Sequence, residues 1–173
     1  MSEKLVLIDG HSILNRAFFG LPDLTNSEGL HTNAVYGFLN ILFKILEEEQ
    51  PDYLTVAFDV HAPTFRHKMY EAYKGTRKPM DDALRQQVPL MKEMLAAMGV
   101  CTIEMEGYEA DDLLGTLAGM GERAGMEVSC RIRGPAICCS LLRIMSGFVF
   151  QRRSVPEQRL KIIWRQMSKN GIR

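Results

Sequence analysis

The sequence predicts an α/β fold: a mostly parallel central sheet with helices on both faces. Three observations predict it. Short unbroken apolar runs, Leu5-Val6-Leu7-Ile8, Tyr53-Leu54-Thr55-Val56-Ala57-Phe58 and Val100-Cys101-Thr102-Ile103, have the length and continuity of strands buried on both faces. They alternate with longer segments whose apolar residues recur at helical spacing, the order that builds a parallel sheet. Two of the runs end in aspartate, Asp9 and Asp59, and the third leads to Glu109, Asp111 and Asp112. The carboxyl ends of strands are where open α/β sheets place their chemistry.

The first strand gives way to Asp9-Gly10-His11-Ser12. Asp9 reads either as a functional carboxylate or as a residue opening a turn with Gly10. His11 reads either as a ligand or as a hydrogen-bonded structural residue. Residues 12–20 form a short helix carrying Phe18-Phe19, and Pro22, Asn26 and Gly29 mark the loop that follows. A long helix opens near Thr32, with Val35, Phe38, Leu39, Leu42, Ile45 and Leu46 on one stripe. Glu47-Glu48-Glu49 is a solvated face at its end, and Pro51-Asp52 breaks the chain before the second strand.

Residues 60–86 interleave cations with rings: Phe65-Arg66-His67-Lys68, Tyr70, Tyr73-Lys74, Arg77-Lys78 and Arg85. Such a segment can hold phosphates and stack bases, the reading favoured because Tyr70, Tyr73, Lys74 and Arg77 can line one helical face; the alternative is a surface helix with snorkelling cations. Asp81-Asp82 caps a helix that runs to Met98 on a Leu84, Val88, Met91, Leu95 stripe, and Gly99 ends it. Glu109 to Asp112 then open a helix whose Leu113, Leu114, Leu117 and Ala118 pack inward. Acidic residues suit that end because the helix dipole is positive there. At about 100° per residue, Glu109 and Asp112 share a face and Asp111 is offset. Taken alone, the triplet is also what an acidic N-cap on a surface helix looks like.

Composition narrows the class. The chain has 173 residues, of which 46% are apolar, enough for one domain with a core. No apolar run reaches the ~20 residues of a membrane span, and Met1-Ser2-Glu3-Lys4 leads directly into the first strand, so the expectation is a cytoplasmic protein without a membrane partner. The net charge of zero hides an imbalance: residues 1–129 carry 11 Lys+Arg and 20 Asp+Glu, whereas residues 130–173 carry 10 Lys+Arg and one acid, Glu157. Cys138-Cys139 lacks the spacing of a zinc site. Carboxylates gathered at strand ends raise one another's pKa unless a hard divalent cation joins them, and all-oxygen donors favour Mg²⁺ or Mn²⁺. A paired-metal site of that kind cleaves phosphodiesters.

Residues 4–129 resemble the N-terminal 5′-nuclease domain of bacterial DNA polymerase I, within the flap endonuclease (PIN-like) family. The matching motifs are Leu7-Ile8-Asp9-Gly10-His11-Ser12, Thr32-Asn33-Ala34-Val35-Tyr36-Gly37-Phe38, Ala57-Phe58-Asp59, Ala62-Pro63-Thr64-Phe65-Arg66, Tyr73-Lys74-Gly75-Thr76-Arg77 and Glu106-Gly107-Tyr108-Glu109-Ala110-Asp111-Asp112. The resemblance implies a 5′–3′ exonuclease or flap endonuclease of DNA replication and repair. It implies two Mg²⁺ or Mn²⁺ ions in intact relatives, with metal roles for Asp9, Asp59, Glu109, Asp111 and Asp112. It implies that Tyr73, Lys74 and Arg77 engage the scissile strand, with Lys74 and Arg77 also catalytic, and that Arg16 and Arg66 bind DNA. The partners it implies are DNA with a 5′ flap or 5′ end and an RNA primer. A polymerase domain follows in family members and is not found in these 173 residues.

The resemblance stops after Glu127-Val128-Ser129. The family continues with a Gly-Asp-x-Asp motif that supplies two further metal ligands; here Cys130-Arg131-Ile132-Arg133-Gly134-Pro135 follows, and no aspartate occurs after Asp112. Codons for Ile132 to Leu142 can encode the missing motif in shifted frames, which would account for the lost motif, the basic charge and the cysteines together. The domain expectation is therefore a partial nuclease domain, 1–129, incomplete at its C-terminus, and a poorly ordered out-of-frame tail, 130–173. Three other readings stay open: a DNA-binding remnant without catalysis, a PIN-like ribonuclease, and a regulatory or structural protein with a basic tail.

Overall fold

The first strand becomes the centre of the sheet because both of its faces are apolar. In the computed structural model, which describes residues 2–70, 73, 75, 79–131 and 137–138, β1 (Lys4–Asp9) lies between two parallel neighbours. On one side is β2 (Tyr53–Ala57), with Leu5 opposite Tyr53 and Asp9 opposite Ala57; on the other is β4 (Glu127–Arg131), with Lys4 opposite Glu127. β3 (Cys101–Ile103) extends the sheet beyond β2 in parallel, and β5 (Ile137–Cys138) closes it beyond β4, antiparallel. The order is β3-β2-β1-β4-β5. Successive side chains of β1 alternate between faces. Val6 and Ile8 enter a core with helices α1 (Gly10–Gly20), α2 (Asn33–Glu49) and α4 (Asp82–Ala97); Leu5 and Leu7 enter a second core under α5 (Ala110–Arg123). This is the α/β sheet with helices on both faces that the alternation predicts.

Two glycines permit close approaches. A Cβ on Gly10 would lie 2.5 Å from the Phe58 ring, so the turn from β1 into α1 can sit over the end of β2 only without a side chain. A Cβ on Gly37 would meet that of Ala17 at 2.7 Å, where α1 and α2 cross. The start of α2 is finished from another helix: the buried Gln87 side-chain carbonyl of α4 accepts from the amides of Ala34 (2.8 Å) and Val35 (3.2 Å). Its amide group donates to Asn33 Oδ1 at 3.0 Å.

Before α4, the described part of segment 60–86 holds only the single turn of α3 (Phe65–Met69) as helix, and α4 starts at Asp82 with Asp81 as its cap, where the sequence puts it. Past Ser129, where the sequence resemblance stops, β4 runs on through Cys130 and Arg131. Cys130 is fully buried beside β1 and Arg131 pairs with Glu49, so the boundary drawn at 129/130 falls inside β4. The remainder of the predicted tail, apart from the backbone of β5, lies outside the described residues.

Candidate active site

The acidic candidates stand at strand-to-helix junctions, and Asp9, Asp59, Glu109 and Asp112 are each held by hydrogen bonds. Asp9 ends β1 and caps α1, its two oxygens accepting from the Ser12 amide (2.9 Å) and hydroxyl (2.6 Å). Asp59 follows β2; its Oδ1 accepts from the amide of Ala110 at 2.7 Å, which ties it to the first turn of α5. Glu109 is the N-cap of α5, and its Oε2 accepts from the Tyr73 hydroxyl at 3.2 Å. Asp112 reaches back to accept from the Glu109 amide at 3.0 Å. The α5 N-cap, Glu109, is thus also a member of the candidate cluster.

Asp9, Asp59, Glu109 and Asp111 line one cavity of about 1300 Å³ between α1, α4 and the start of α5. Asp59 and Glu109 also line a second cavity of about 370 Å³ on the α3 side. Asp111 opens to solvent at the cavity mouth, yet the surrounding protein raises its pKa above the ordinary carboxylate value. The negative charges of Asp9, Asp59, Glu109 and Asp112 raise it further. Asp111, offset on the helix, is therefore the one that joins the others, whereas Asp112 turns away.

The reason is Arg66. Its guanidinium grips Asp112 with both prongs, Nη1 to Oδ2 and Nη2 to Oδ1, each 2.8 Å, and lies 3.4 Å from Glu109. The Asp112 carboxylate, first, and then Glu109 raise the pKa of Arg66 against the effect of its burial. Arg66, read from sequence as a DNA contact, is mostly buried as the counter-ion of this wall. Arg16 is exposed at the rim of the larger cavity, and Tyr73 sits edge-on to His67. Lys74 and Arg77 lie outside the described residues.

The donor set suits a hard divalent cation: four carboxylates face one cavity, and their mutual repulsion falls on Asp111. Their present placement is not a closed cage, since among the described residues no three acidic, histidine or cysteine side chains come together tightly enough to enclose an ion. Hydrogen bonds from Ser12, Ala110 and Tyr73 occupy oxygens of Asp9, Asp59 and Glu109 instead.

Two further residues line the cavity: His11, read from sequence as either a ligand or a hydrogen-bonded residue, and Lys92, which the sequence reading passed over. His11 Nδ1 accepts from the Asp59 amide at 3.1 Å, and burial pushes its imidazole below the ordinary histidine value against the opposing pull of Asp59 and Asp9. Lys92 lies on the α4 face that also brings Arg85 and Pro89 to the cavity. The seven-residue spacing of Arg85 and Lys92, beside the apolar stripe, is the signal that would have found it.

Residues 4–132 match the family described as 5′-3′ exonuclease, N-terminal resolvase-like domain. DNA polymerase I of Bacillus caldotenax is 52% identical over 128 residues, covering 74% of this chain and 15% of the polymerase. A 5′-3′ exonuclease of Aquifex aeolicus is 44% identical over 126 residues, covering 73% of this chain and 44% of that protein. The chain thus spans about one-seventh of the polymerase it matches. The T5 D15 protein, crystallised with metal ions, shares the fold at a TM-score of 0.58 and 17% identity, over 77% of this chain and 50% of that one. With the match spanning three-quarters of its sequence, the chain belongs to the 5′-3′ exonuclease N-terminal resolvase-like domain family.

Proposed function

We propose that this chain is the phosphodiester-cutting module of a 5′–3′ exonuclease or flap endonuclease acting on DNA with a 5′ flap or 5′ end, including RNA-primed ends. The observation that carries the proposal is the convergence of Asp9, Asp59, Glu109 and Asp111, from three separate strand-to-helix junctions, on one cavity. Among the described residues no helix is long and apolar enough to cross a membrane.

Asp9, Asp59, Glu109 and Asp111 would hold Mg²⁺ or Mn²⁺, and Asp112 would join them where Arg66 releases it. Bound divalent ions supply charge stabilisation at the attacking and leaving oxygens of a phosphodiester. The protein's part is orientation. Ser12 fixes Asp9, Ala110 fixes Asp59, and Tyr73 restrains Glu109, so the acidic wall is organised before substrate arrives. Tyr73, Lys74 and Arg77 are proposed for the scissile strand, and Arg16, exposed at the larger cavity, for DNA binding.

A second reading, a DNA-binding remnant without cleavage, draws on two observations: the Gly-Asp-x-Asp motif is missing, and Arg66 holds Asp112. A labelled 5′-flap duplex with Mg²⁺ or Mn²⁺ separates the two. Release of the flap that requires the metal and is lost in Asp59→Asn supports the nuclease. Salt-dependent binding without release supports the remnant. Neither binding nor release removes both.

A further inference from the structure

The larger cavity has a second wall that the acidic cluster leaves unexplained. Phe58, at the end of β2, is buried, and two polar groups gather about its ring. His11 meets it edge-on, with ring centroids 5.5 Å apart and planes at 82°. Lys92 places Nζ 5.2 Å from its centroid. Both residues line the cavity, His11 from α1 and Lys92 from α4.

The hydrogen bonds set what each can offer. The Asp59 amide donates to His11 Nδ1, so that nitrogen carries no proton and the remaining one is on Nε2. A donor is thereby presented on the far side of the ring from the Asp59 amide. Lys92 is ion-paired with Glu104, which is itself half exposed and lines the same cavity. An ammonium has three donors, and a carboxylate at the rim is a partner that an incoming anion can replace. A neutral donor and a cation, set beside carboxylates that would hold metal, match a strand phosphate.

We propose that His11 and Lys92, arranged about Phe58, form a phosphate subsite that holds a nucleic-acid strand on the α4 side of the acidic cluster, with Glu104 as its placeholder. The proposal rests on the nuclease-family reading of the cavity. It adds a site for the strand beside the acidic cluster, in the same cavity.

The test is fluorescence anisotropy of the full chain with a labelled 5′-flap oligonucleotide, over a salt series. Lys92→Met should weaken binding about tenfold, as for a hydrogen bond to a charged group, and lower the salt slope by about one unit. Glu104→Gln should tighten binding, because it frees Lys92. His11→Asn keeps an acceptor for the Asp59 amide but withdraws the Nε2 donor, and should weaken binding with an unchanged salt slope. A merely structural Lys92–Glu104 pair would make the Lys92 and Glu104 variants change in the same direction. That result, or no change in either, overturns the subsite while wild-type binding upholds the family reading. If the wild-type chain fails to bind the oligonucleotide, both fall. Nitrogen-15 spectra of His11 give a separate readout: a proton on Nε2 is expected, and a proton on Nδ1 in the free protein rejects the proposed donor.

Discussion

Arg66 and Asp112 form a two-pronged ion pair across the start of α5, with 14% and 1% of their side chains exposed. The pair comes from segments 46 residues apart, so it fastens α3 to the acidic turn. A buried pair is weak evidence of net stability, but breaking it from one side is expensive. Arg66→Met should destabilise the fold by roughly 3–5 kcal/mol by leaving Asp112 uncompensated. Arg66→Met with Asp112→Asn should recover much of that loss. Urea unfolding of the two variants checks both outcomes.

Gln87 makes a comparable claim for the core. Replacing it with Leu leaves the amides of Ala34 and Val35 and the Asn33 side chain without their buried partner. A cost of roughly 2–4 kcal/mol is expected, on the scale of unsatisfied buried groups. Gln87→Glu restores the acceptor but not the donor, and should fall between the two in denaturant midpoint.

The ion cluster of Lys4, Glu49 and Arg131 predicts a pH dependence. The hydrogen bond from Lys4, then the charge of Arg131, lower the pKa of Glu49 against its partial burial. A carboxylate lowered in the folded state adds stability above its unfolded pKa, about 4.3. That stability is lost as pH falls through the lower, folded value. Between pH 5 and 3 the wild-type midpoint in urea should therefore fall more steeply than that of Glu49→Gln. Parallel slopes would remove Glu49 from the acid response.

Activity should depend on the missing motif. Replacing residues 130–142 with a sequence that restores Gly-Asp-x-Asp should raise metal-dependent flap cleavage by roughly 10²–10³, the scale of one lost electrostatic element. Asp112→Ala should abolish whatever cleavage the present chain has. Equal rates for the present and restored chains would show the motif to be dispensable.

The strands were legible because burial on two faces writes itself as unbroken apolar runs, as in Leu5 to Ile8. The acidic residues were legible because strand ends locate chemistry. What the sequence hid lies in contacts between distant segments. Helical angle placed Asp112 with Glu109, and it does bond to Glu109, but periodicity cannot reveal that Arg66 draws it away from the cavity. Nothing near Asn33 announces that Gln87 will finish that helix. Cys130 looked like the start of a foreign tail, yet a small apolar side chain is what the space beside Leu7 accepts.

The place of β1 also has a consequence in time. Of the described strands, the one synthesised first is the middle one, and its two hydrogen-bonding edges wait for partners made much later. Leu5 pairs with Tyr53 on one edge and with Val128 on the other. At a synthesis rate on the order of 5–20 residues per second, the second partner follows by several seconds or more. For that interval an apolar strand with an open edge is exposed, a segment that chaperones bind and that pairs readily with other chains. Slow, late closure is the expected folding behaviour of this chain, because its deciding contacts are the most distant in sequence.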